Sequence, residues 1–184
     1  MIKKQVSIGT IKIQYSLLLF LLLLGFTQCK SPAAKEDRLS DDALMDTVQR
    51  RTFNYFWEGA EPNSGLARER IHMDGVYPEN DQNVITSGGS GFGIMAILAG
   101  IDRGYVTRQE GLERMEKIVS FLETADRFHG TYPHWWYGDT GKVKPFGQKD
   151  NGGDLVETAF IMQALLSVHQ YYIDGSPAEQ APAA

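Results

Sequence analysis

Apolar and polar positions along this chain lay out four helices separated by two long polar connections. The first helix starts after Ser40, an N-cap residue followed by Asp41 and Asp42, which suit the positive end of a helix dipole. Leu44, Val48, Thr52 and Tyr55 then recur every three or four residues, with Phe53, Phe56 and Trp57 thickening the stripe, until Gly59 and Pro62 end it. Residues 58–86 are rich in Gly, Pro, Asn and Asp; a connection this long is often functional, and short strands fit inside it. The tract Ser87-Gly88-Gly89-Ser90-Gly91-Phe92-Gly93 leads into a second helix over 94–101, apolar nearly all round and so expected to be buried. Thr107 and Glu110 have capping-box spacing and open a third helix. Leu112, Met115, Val119 and Leu122 give that helix one apolar face, and Glu113, Arg114, Glu116 and Lys117 give it an outward one. A second long loop covers 126–152. The fourth helix runs from about Gly153 to Tyr172, with Leu155, Ala159, Met162, Leu165 or Leu166, and His169 marking its period.

Buried helices thus alternate with amphipathic ones, and no strong period-2 pattern supports a large sheet. The expected fold is all-α: helical hairpins arranged as part of an (α/α) toroid, with the long loops gathered at one mouth. Four helices are too few to close such a ring, so the chain reads as a fragment of a larger fold. Residues 40–174 form the expected domain, and the Pro- and Ala-rich residues 175–184 a disordered tail.

The front of the chain reads as targeting sequence. Lys3, Lys4 and Lys12 precede an apolar run over 17–24, which is too short to span a bilayer but has the length of a signal-peptide core. Cys29, the one cysteine, follows Phe26-Thr27-Gln28 as in a lipobox, although Gln28 departs from the usual small residue. The expectation is a signal peptide over 1–28, a lipid on Cys29 anchoring the protein to a membrane of the cell envelope, and a flexible tether over 29–39. Without residues 1–28 the chain has 15 Lys+Arg against 23 Asp+Glu, a net charge of −8, which argues against nucleic-acid binding.

Candidate chemistry concentrates in the second loop and the start of the fourth helix. Asp154 and Glu157 are three apart in a first turn and share a face, with Asp150 one turn earlier. Crowded carboxylates can raise one pKa and keep a proton on it, as glycoside hydrolysis needs. Capping of the helix and cation binding are the alternatives for the same three residues. His134, Trp135, Trp136 and Tyr137 lie in the preceding loop. Adjacent aromatics suit stacking on sugar faces, and His134 could bond a hydroxyl; the alternative for one Trp is a place in the core. Arg70 offers a charge from the first loop. The glycine-rich tract lacks the ending of a phosphate-binding loop and the spacing of a dinucleotide fingerprint, so no cofactor is expected.

Five tracts in order resemble the glycoamylase-like domain, the group that includes bacterial endo-β-1,2-glucanases. They are residues 52–57 (Thr-Phe-Asn-Tyr-Phe-Trp), 64–70 (Ser-Gly-Leu-Ala-Arg-Glu-Arg), 86–93, 130–135 (Gly-Thr-Tyr-Pro-His-Trp) and 154–159 (Asp-Leu-Val-Glu-Thr-Ala). The resemblance implies an (α/α)6 toroid, hydrolysis of β-linked glucans with inversion, and essential acids at the spacing of Asp150, Asp154 and Glu157. It also implies roughly twelve helices and further acids downstream, so this chain corresponds to the N-terminal portion. A sugar-binding lipoprotein without turnover is the alternative reading.

Overall fold

The computed structural model describes residues 38–173 and 175. The fold below is that of the compact unit that begins at Asp41. The expectations for the signal peptide, for Cys29 and for nearly all of the tether and tail lie outside the described residues.

Four helices and one small sheet make up the unit: α1 (Asp41–Trp57), β1 (Val84–Thr86), α2 (Ser87–Asp102), α3 (Arg108–Thr124), β2 (Trp135–Tyr137), β3 (Val143–Lys144) and α4 (Leu155–Tyr172). The four helices stand where the periodicity put them. The all-α expectation needs one correction, because the two long loops pair as a three-stranded antiparallel sheet in the order β1-β2-β3. Val84 faces Tyr137, Ile85 faces Trp136 and Thr86 faces Trp135; Trp135 in turn faces Lys144. Alternation along these strands sends Ile85 and Trp136 into the core and leaves Thr86, Trp135 and Lys144 on the outer side. Strands of two and three residues are too short to show a period in sequence.

Helix α2 begins at Ser87, so the glycine-rich tract is helix, not the turn before it. Its glycines pack against neighbours that a side chain would displace. A Cβ on Gly91 would stand 2.6 Å from the carbonyl of Phe160, which is why α4 can lie directly on α2. The core between them gathers Ile94, Ile97, Ile161, Ala164, Val168 and Tyr172, with Leu112, Met115, Ile118 and Leu122 from α3. The capping box at the start of α3 forms as expected: the Glu110 amide donates to the Thr107 hydroxyl, and the Thr107 amide to Glu110.

Three helix faces differ from expectation. In α1, Leu44, Val48 and Tyr55 are exposed and Phe53 is the buried residue, stacked on Trp57 and tilted against Tyr105. In α3, Arg114 does not point outward: it lies over the Trp57 ring at 4.2 Å and donates to the Trp57 carbonyl. In α4, Leu155, Met162 and Leu166 are exposed, while Ile161, Ala164 and Val168 face the core. A helix apolar on several sides carries no periodic mark of which side is covered. The uncovered side of α4 joins that of α2 through Phe92 and Phe160, whose rings are 5.1 Å apart.

Candidate active site

The first turn of α4 is where the folded chain concentrates its reactive groups. Asp154 is the N-cap of α4 in extended backbone, and its side chain accepts from the amides of Val156 and Glu157. One oxygen, Oδ1, makes both bonds, at 2.9 and 3.0 Å. The other, Oδ2, lies 3.0 Å from His134 Nδ1. These bonds hold the Asp154 carboxyl below its ordinary range: the Glu157 amide contributes most, burial opposes it, and His134 and the Val156 amide add to it. The expected crowding effect, a raised carboxyl that keeps its proton, is therefore not what Asp154 shows. Asp154 is ionised at neutral pH, so His134 Nδ1 carries the hydrogen of the pair.

The loop that delivers His134 is stitched to the helix. The Asp154 amide donates to the Tyr132 carbonyl at 2.7 Å, the Tyr132 amide donates to the Thr158 hydroxyl, and that hydroxyl donates to the Asp154 carbonyl. His134 packs beside Phe146 and edge-on to Trp135, and the three rings form one aromatic corner. Lys144 Nζ sits 4.4 Å from the Trp135 ring centre.

Asp150 joins this corner. Ligand atoms of His134, Asp150 and Asp154 lie within 4.8 Å of one another, and these are the described residues that could hold a metal ion. The same distance limits catalysis. Inverting hydrolysis needs carboxyl groups roughly 6.5–9.5 Å apart and retention about 5–5.5 Å. With an oxygen of each inside 4.8 Å, Asp150 and Asp154 stand closer than an inverting pair.

Glu157 faces α2. Its Oε2 accepts from the Thr86 hydroxyl at 3.1 Å and from the Gly88 amide at 2.7 Å. Asp150, Asp154, Glu157, His134 and Trp135 are thus gathered around one helix start.

Three expected residues stand elsewhere. Trp136 has 0% exposure; its ring lies in the core and its indole N–H donates to the Asp126 carbonyl, which removes it from the surface that a sugar platform needs. Tyr137 shares the outer side of β2 with Trp135 and is partly exposed. Arg70 pairs with Glu69 of its own loop and lies 3.7 Å from Asp81. Sequence reasoning missed Phe146 as a member of the corner and Thr86 as a partner of Glu157. The second left no mark in the order of residues, because a threonine before a helix start ordinarily caps its own helix.

No family model matches the sequence. An exo β-1,2-glucooligosaccharide sophorohydrolase (non-reducing end) from Parabacteroides distasonis is 56% identical over 135 residues, 73% of this chain and 18% of that protein. An endo-β-1,2-glucanase from Chitinophaga pinensis, solved with sophorotriose and glucose, is 67% identical with a TM-score of 0.78, over 79% of this chain and 35% of that one. The chain is similar to the N-terminal part of these β-1,2-glucan hydrolases. A glucoamylase-type protein from Bacteroides caccae is 85% identical, with a TM-score of 0.76 over 78% of this chain and 35% of that one. The chain therefore spans about a third of these solved relatives' length and less than a fifth of the curated one, corresponding to their N-terminal part.

Proposed function

We propose that this chain forms part of the sugar-binding cleft of an exported glycoside hydrolase acting on β-1,2-linked glucan or its oligosaccharides. The observation that carries it is the corner itself: Asp150, Glu157 and an ionised Asp154 around Trp135, at a helix start in a fold whose relatives are named β-1,2-glucan hydrolases. Trp135 covers the CH face of a glucose ring, and the carboxylates bond its hydroxyls. The chemistry is inverting: one carboxyl protonates the glycosidic oxygen while a carboxylate activates water on the opposite face. Asp154 stays charged and serves the base side or orients the sugar. The proton donor is Glu157 or a residue from the rest of the fold.

The architecture in this reading is part of an (α/α)6 toroid, and further helices cover the open apolar side formed by Phe92, Val156 and Phe160. Residues 1–28 direct export, a lipid on Cys29 holds the protein at the cell envelope, residues 29–39 act as tether, and 40–174 belong to the toroid. The substrate is a soluble oligosaccharide or glucan outside the cytoplasm.

A second reading, binding without turnover, is favoured by the short distance between Asp150 and Asp154. Titration of the full chain with sophorotriose, together with an assay of sugar release from β-1,2-glucan, separates the two. Glu157→Gln lowers the release rate and keeps affinity in a hydrolase, whereas a binder releases nothing and loses little affinity. A chain that neither binds nor cleaves overturns both readings.

A further inference from the structure

We propose that Thr86, with the amide of Gly88, is the positioning element that aims Glu157 at the sugar, an inference that rests on the site proposed above. Thr86 is the N-cap residue of α2, in extended backbone, yet its side chain caps nothing in its own helix. A threonine in that place ordinarily bonds the amide two or three residues on. Here the hydroxyl donates to Glu157 Oε2, and the Gly88 amide that it would have served donates to the same oxygen. A carboxyl group 69 residues further along the chain takes over the capping place at the start of α2.

Gly88 makes the seat. A Cβ there would stand 2.5 Å from Oε2 and 2.8 Å from Oε1, so a side chain of any size expels the carboxylate. Both bonds fall on Oε2, and Oε1 accepts no hydrogen bond among the described residues. Thr86 also stands directly across the sheet from Trp135. The free oxygen is thereby fixed relative to the ring proposed to carry the sugar. A hydroxyl spent on its own helix would have capped α2 equally well and left Glu157 free to turn. Spent on Glu157, it holds one oxygen and presents the other.

The test uses the full chain with Thr86→Val, which removes the donor at equal size, and Thr86→Ser, which keeps it. Sophorotriose affinity is read by titration, and the Gly88 amide by backbone NMR. Thr86→Val should weaken sophorotriose binding about tenfold and shift the Gly88 resonance upfield, Thr86→Ser should restore both, and the unfolding midpoint should move by less than about 4 °C. Equal affinity in the unaltered chain and Thr86→Val, or a Ser variant that behaves like Val, overturns the positioning role. Should the unaltered chain bind no sophorotriose, the sugar-site reading fails by itself and the Gly88 amide decides the seat. A resonance unmoved by Thr86→Val and by Glu157→Gln overturns it; one shifted by both upholds it.

Discussion

Two glutamates in this molecule sit over a glycine in nearly the same way and end in opposite circumstances. A Cβ on Gly138 would stand 2.5 Å from Glu61 Oε2, as one on Gly88 would from Glu157 Oε2. Glu61 is fully buried, and both of its oxygens are occupied: Asn63 donates through its backbone and side-chain amides, and Ser64 through its amide and hydroxyl. All of those donors lie within three residues of Glu61. Glu157 is partly exposed, receives its two bonds from a distant helix start, and keeps Oε1 open. A carboxylate satisfied by its own turn has nothing left to offer a ligand. One half-satisfied across an interface has been placed and still has capacity.

The largest expected difference contrasts the inner and outer sides of the sheet that joins these regions. Trp136→Ala should cost about 3–5 kcal/mol of stability, as a large core truncation does. Trp135→Ala should leave the thermal midpoint nearly unchanged and weaken sophorotriose binding. Equal losses of stability would break the assignment of the two faces.

Next in size is Glu61→Gln, which loses the charge that four donor groups surround and should cost about 2–3 kcal/mol in denaturant unfolding. Burial pushes the Glu61 carboxyl up, and the hydrogen bonds from Ser64 and Asn63 more than offset it, leaving it below its ordinary 4.5. A lowered carboxyl contributes stability that is present above the ordinary value and lost as pH falls through the folded one. The unaltered chain should therefore lose stability below about pH 4.5, and Glu61→Gln should show a flatter curve there.

The two glycines sharpen the comparison further. Gly138→Ala should destabilise by about 1–3 kcal/mol, because Glu61 is packed and cannot yield. Gly88→Ala should cost less, since alanine favours a helix by roughly 0.5–1 kcal/mol and Glu157 can swing into solvent. Its loss should appear in sophorotriose affinity instead. Differential scanning calorimetry beside a binding titration reads both.

The smallest effect concerns Asp154. Asp154→Ala removes the N-cap and should cost about 1 kcal/mol, whereas Asp154→Asn keeps a capping oxygen and should cost a few tenths. Because the Asp154 carboxyl is held below its ordinary 3.8, its contribution is present above that value and lost as pH falls further. The Asn variant should lack that acid-side loss.

Much of this was legible in the order of residues. Helix positions follow from local periodicity and from caps such as Thr107 with Glu110, where every partner lies within a few residues. The grouping of Asp150, Asp154 and Glu157 was legible too, because a helix start carries its own spacing. The ordered tracts were enough to point to the β-1,2-glucan hydrolases that the chain is similar to. What could not be read was which side of each element would be covered. Trp135 and Trp136 are chemically alike and adjacent, and their opposite fates follow from pairing with β1, fifty residues away in sequence. The buried stripe of α4 was set by contact with the glycines of α2, not by its own hydrophobic period. The state of the carboxylates was likewise tertiary. Spacing alone predicted repulsion and a raised pKa, but amides and His134 reached Asp154 first and hold its carboxyl below the ordinary range. Local propensity acts over a few residues and is written in their order. Burial, hydrogen-bond partners and the charge a group keeps depend on what the folded chain brings alongside.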